Sequence, residues 1–120
     1  MDGAQMGQPR QGLSPMDQIS QPSPVLEIVR FSLRPGIDPE AFTADAARMD
    51  GWLATRPGFV RRRLGLADMG VWIDCIEWQD LATARAAADA LMREPTARPF
   101  LAAIDGGSVV MTHLDIAHAS

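Results

Sequence analysis

Two stretches with a strand's two-residue period stand back to back around one short turn: "GFVRRRLG", beginning at Gly58, and "VWIDCIEW", ending at Trp78. A helix-like segment fences each on its far side. That order constrains the fold more than any composition figure. Upstream, "VLEIVRFSLRPG" puts Val25, Val29, Phe31 and Leu33 on one face with Glu27, and Leu26, Ile28, Arg30 and Ser32 on the other. Branched and aromatic residues over this length predict a strand, which Pro35-Gly36 ends. "DPEAFTADAARMDGWLATRPG" predicts a helix. Asp38 is a good N-cap, Pro39 suits the first helical position, and Phe42, Ala46, Met49 and Leu53 recur at helical spacing with Trp52 beside them. "QDLATARAAADALMRE" predicts a second helix capped by Asp80, its apolar face made of Leu81, Ala84, Ala88, Leu91 and Met92. A short helix over "TARPFLAAID" and a last strand over "SVVMTHLDIAH" complete the chain. The order is β-α-β-β-α-β, the split βαβ or ferredoxin-like α+β fold. Right-handed crossovers then place both helices on one side of a four-stranded antiparallel sheet of order 4-1-3-2.

The helices cover one face of that sheet. The strands nevertheless carry apolar residues on both faces, as in Val71, Ile73 and Cys75 against Trp72, Ile76 and Trp78. Both faces should therefore be buried. In a chain of 120 residues the simplest second cover is another copy of the chain, so a two-fold sheet-to-sheet homodimer is expected.

Residues 1–24 are rich in Gln, Pro, Gly and Ser and follow neither period. They read as a disordered tail ahead of a single domain over 25–120. Net charge is −4, which argues against nucleic-acid binding. No apolar run is long enough to span a bilayer. The one cysteine, Cys75, excludes an intrachain disulfide and makes a reducing cytoplasm the default compartment. With two histidines and no metal-ligand spacing, no metal and no cofactor is expected.

The hairpin carries the candidate chemistry. If Asp68 and Met69 form its tip, Leu66 faces Val71, Arg63 lies opposite Asp74, and Arg62 lies opposite Cys75 and diagonal to Glu77. Arg61 then has no evident partner. One face would carry Phe59, Arg61, Arg63, Trp72, Asp74, Ile76 and Trp78, aromatic walls with a few charges, as a small-molecule pocket needs. Trp52, Trp72, Trp78 and Phe59 are candidate ligand walls; Arg30, Arg61 and Arg63 are candidate anion stabilisers. His113, mid-strand, and Asp74 are candidate proton acceptors. Each has a structural reading beside the functional one: core aromatics, ion pairs, a hydrogen-bonded sheet histidine. Glu27 and Glu77 read as paired carboxylates, with a general-base role if buried.

"VLEIVRFSLRPG", "RPGFV", "CIEWQD" and "REPTARPFLAAI" resemble the dimeric α/β-barrel superfamily, nearest its antibiotic-biosynthesis-monooxygenase-like branch, over roughly residues 25–117. The resemblance implies paired sheets and a ligand pocket in each subunit. It also implies small-molecule chemistry, such as cofactor-free oxygenation of an aromatic substrate, or else a non-catalytic binding dimer. The histidine often found in the second helix of such proteins has no counterpart in "ARAAADALM", which argues against haem degradation.

Overall fold

A computed structural model describes residues 23–120; the expected tail over 1–24 lies almost wholly outside the described residues. Strand β1 (Val25–Phe31) leads to helices α1 (Pro39–Ala47) and α2 (Asp50–Ala54). The hairpin β2 (Phe59–Leu66) and β3 (Trp72–Trp78) follows, then α3 (Leu81–Leu91), α4 (Arg98–Ala103) and β4 (Val110–Asp115). The antiparallel sheet has the order β2-β3-β1-β4, the expected arrangement read from its other edge. No helix among the described residues is long and apolar enough to cross a membrane.

Local chemistry accounts for the elements. The Asp38 carboxylate accepts from the Ala41 amide and the Asp80 carboxylate from the Thr83 amide, at 2.9 and 2.8 Å, so both expected N-caps hold their helices. The expected first helix is two pieces. Arg48 and Met49 stay near helical dihedrals but tighten the turn, ahead of Asp50-Gly51, both poor helix formers. β4 starts later than expected because Asp105 and Ser108 fold the preceding residues into a tight turn, the Ser108 hydroxyl accepting from the Ser32 amide.

The core is in two halves. One packs Phe31, Phe42, Met49, Trp72, Phe100 and Ile104; Phe42 stacks on Phe100 and meets Trp72 edge-on, both at 4.9 Å between ring centroids. The other packs Val25, Leu53, Ile76, Trp78, Ala84 and Ala87. The alanines of α3 let it lie close to the sheet at this second half. Met92, expected on its apolar face, is instead exposed, because the helix ends at Leu91 and the chain turns away.

Gly58 begins the hairpin with φ +81°, and a Cβ there would overlap the Thr83 side chain at the start of α3. Both facts require glycine. Gly58→Ala is expected to destabilise the domain by about 1–2 kcal/mol from the left-handed backbone alone, with a further cost from the overlap. In urea unfolding, adding Thr83→Ala should recover the overlap cost and leave the backbone cost.

The hairpin register differs from the expected one. Ala67 and Val71 close a three-residue loop, Asp68–Gly70, with Met69 and Gly70 at positive φ. Leu66 therefore faces Trp72, and each pairing slides by one residue: Leu64 with Asp74, Arg63 with Cys75, Arg62 with Ile76, Arg61 with Glu77. A bulge at Val60 absorbs the slip, so Phe59 still meets Trp78. A one-residue slip sends every side chain to the opposite face. Arg62 thus points to the helix side, and Arg61 and Arg63 to the open side.

Candidate functional site

Between the two core halves the helices and sheet enclose a cavity of about 430 Å³. Its walls come from both halves, including Phe31, Met49 and Phe100 from one and Leu53, Trp78 and Ala87 from the other. Trp52 closes one side, with the Arg56 guanidinium stacked over its ring at 4.9 Å. Among the described residues, four ionisable side chains line the cavity: Glu27, Arg34, Arg62 and Asp74.

Glu27 and Asp74 are each only 4 % exposed. A buried carboxylate must be satisfied or neutralised, and both are satisfied, in different ways. Asp74 receives two parallel hydrogen bonds from Arg62, Nε to Oδ1 at 2.9 Å and Nη2 to Oδ2 at 2.8 Å. The remaining Nη1 donates to the Ala46 carbonyl at 3.0 Å, and the guanidinium lies over the Phe100 ring. This bidentate pair closes on itself. Glu27 has no cation of that kind among the described residues. Its Oε1 accepts from the Trp78 indole at 3.3 Å, and its Oε2 lies 2.9 Å from Nε2 of His113. The β1–β4 register sets Glu27 opposite His113 on the same face. The His113 side chain is partly exposed, while that of Glu27 is buried. Glu27 thus connects the cavity to an imidazole that reaches toward solvent.

The expected site residues separate into two sets. Asp74, Trp52 and Trp78 line the cavity. His113 stands one side chain behind it, on Glu27. Trp72 is on the same sheet face but is packed into the aromatic core against Phe42. Phe59 packs edge-on against Trp78. Arg30, Arg61 and Arg63 lie on the opposite face of the sheet, away from the cavity. The expected partners change with the register: Arg62, not Arg63, holds Asp74, and Arg61, expected to be unpaired, meets Glu77 at 3.4 Å. Arg34 and Arg62 were not among the expected site residues; only the register reveals Arg62. Among the described residues no cluster of three or more His, Cys, Asp or Glu could hold a metal ion.

On the open face, Cys75 lies opposite Arg63. Partial burial is the largest cause pushing its thiol above the ordinary range; Asp74 also raises it and Arg63 opposes the shift. A raised thiol holds less thiolate at a given pH. Alkylation by iodoacetamide at pH 7.5 should therefore be slower than for a free cysteine, and slower again in Arg63→Gln, which removes the one lowering influence. An Arg63→Gln rate equal to or above the native one would show that the guanidinium has no electrostatic hold on the thiol.

The domain is a ferredoxin-like α+β unit with a cavity between its helices and sheet, and its fold is that of the antibiotic biosynthesis monooxygenase structures. A mutant of SnoaB, a cofactor-independent oxygenase from Streptomyces nogalater, superposes with a TM-score of 0.62 at 20% identity, over 81% of this chain and 96% of that one. A Bordetella bronchiseptica structure whose name assigns it to the antibiotic biosynthesis monooxygenases gives 0.64 at 16% identity, over 80% and 99%. One from Nitrosomonas europaea, named likewise, gives 0.64 at 12%, over 83% and 96%. At these identities the likeness is one of fold. No family model matches the sequence, and no curated protein matches it.

Proposed function

We propose that the chain is a small-molecule enzyme, a cofactor-free monooxygenase acting on an aromatic substrate inside the cavity and working in the cytoplasm as a homodimer. The observation that carries this is Glu27: a buried carboxylate, oriented by Trp78 and His113, facing an apolar space large enough for a ring system. In this reading Glu27 takes a proton from an acidic C–H of the substrate, and His113 holds the carboxylate in place. The resulting carbanion passes an electron pair to dioxygen and forms a C–O–O bond. Loss of water from that peroxide leaves a carbonyl, so CH₂ plus O₂ gives C=O plus H₂O. The protein supplies a dry pocket, a base and orientation, which is why the reaction asks for no cofactor. The oxygenase activity in the name of SnoaB is in keeping with this chemistry.

One observation favours a second reading, a ligand-binding dimer without catalysis. Both oxygens of Glu27 already have partners, and Arg62 and Asp74 satisfy each other. A fully satisfied site stabilises a pocket as well as it serves a reaction. Oxygen uptake with a panel of anthrones and phenols, each scored by product formation with one O₂ consumed per carbonyl, separates the two. Binding with no uptake by any member would reject the enzyme.

The dimer reading rests on the open face of the sheet. Ile73, Val110 and Leu114 are 36%, 54% and 46% exposed there, and the half-buried Leu26 and Ile28 lie between them on β1. A continuous apolar face on a twisted sheet suits a second sheet. Ile73→Asp should convert a sedimenting dimer to monomer; a native monomer would sink this part of the reading.

A further inference from the structure

The mouth of the cavity has a composition of its own. Its rim carries exposed apolar side chains, Met92 at 72%, Met111 at 47% and Val109 at 40%. Beside them, among the described residues, stands the cation Arg34. The Arg34 side chain is anchored: its Nε donates to the Ala102 carbonyl at 3.1 Å, and its backbone amide donates to the Ala103 carbonyl at 2.9 Å. Anchoring through Nε leaves the two terminal nitrogens, Nη1 and Nη2, with no partner among the described residues. The other three ionisable groups of the cavity are already engaged, Arg62 with Asp74 and Glu27 with Trp78 and His113. Asp105, next to Gly106 of the cavity lining, turns its carboxylate to the Gly107 amide.

We propose that the ligand of this cavity is a monoanion with an aromatic body, oriented by Arg34. Its carboxylate, or an equivalent planar anion, sits at the mouth on the free edge of the guanidinium, which matches a carboxylate in a two-point contact. Its uncharged end points inward. The orientation follows from charge: a negative end pushed inward would meet Glu27 in a low-dielectric space, whereas at the mouth it meets Arg34, whose Nη1 and Nη2 have no partner among the described residues. The apolar body fills the gap between the core halves, and its flank rests on Met92, Val109 and Met111. This rests on the cavity being a binding site, and it narrows the substrate class from any aromatic to aromatic acids that present their reactive carbon at the Glu27 end.

The test uses two probes of one shape, 2-naphthoate and 2-naphthamide, titrated against the protein by quenching of the tryptophan fluorescence, since Trp52 and Trp78 line the cavity. The acid should bind about fivefold more tightly than the amide at low salt, and the preference should shrink as salt is raised. Arg34→Met should abolish the preference while leaving amide binding intact, and Arg34→Lys should keep part of it. Equal binding of acid and amide to the native protein, with quenching reduced in Trp52→Phe, would overturn the Arg34 assignment and leave the cavity as a site. Absence of quenching by either probe would overturn both.

Discussion

Replacing Asp74 with alanine is expected to remove about 3–5 kcal/mol of folding stability, read as a lower urea midpoint with an unchanged slope. The size of the effect comes from what is left behind. The side chains of Arg62 and Asp74 are 8% and 6% exposed. Without the carboxylate, Arg62 keeps only one hydrogen bond, to the Ala46 carbonyl, and the face of Phe100. Neither can offset the burial of a full positive charge. A domain of this size has about 5–15 kcal/mol in total, so the variant should be close to unfolding in mild denaturant. The pair itself is a different matter. Replacing both partners by apolar residues of similar volume, Arg62→Met with Asp74→Leu, should cost far less than the single change and can even stabilise. A double variant as unstable as Asp74→Ala would mean that the pair holds α1 to the sheet through the Ala46 contact, beyond satisfying its own charges.

That pair also marks where the sequence could be read and where it could not. Strand and helix order and both N-caps follow from local signals: period, Asp-Pro and Asp at helix starts, Pro-Gly at the ends; the sheet order follows from that element order through right-handed crossovers. Glu27 was visible as well, as the one charge among Val25, Val29, Phe31 and Leu33 on the apolar face of its strand. Three consecutive arginines offer no such signal. Alternation puts Arg62 opposite Arg61 and Arg63, but which of the two sets faces the helices depends on a single residue in the turn. A three-residue loop with Met69 in the left-handed region decides it, and methionine rarely adopts that conformation. The expected register put Asp68 and Met69 at the tip, with Leu66 facing Val71. Arg34 was hidden for another reason. It lies just past a strand end, and only the return of α4 to that end, bringing the Ala102 and Ala103 carbonyls, fixes it at the cavity mouth.

Glu27→Gln is the second large effect expected, and it falls on chemistry while leaving the fold intact. Glutamine keeps the volume and one carbonyl oxygen, which can still accept from the Trp78 indole. Its amide can donate to Nε2 of a neutral His113, so the contacts of Glu27 are retained in altered form. What is lost is the ability to hold a proton. On a substrate turned over by the native protein, kcat should fall about 10²–10⁴-fold, the ordinary contribution of a positioned base, with KM little changed because an amide occupies the same space. His113→Gln should give a smaller loss, since that side chain touches the carboxylate and not the cavity; it is a positioning residue. The order of the two effects carries the information. If His113→Gln costs more than Glu27→Gln, the imidazole is the base and the carboxylate merely orients it, which reverses the roles while keeping the site. If both variants turn over at the native rate and bind naphthoate as before, the carboxylate on the cavity wall is structural, and another group takes the proton.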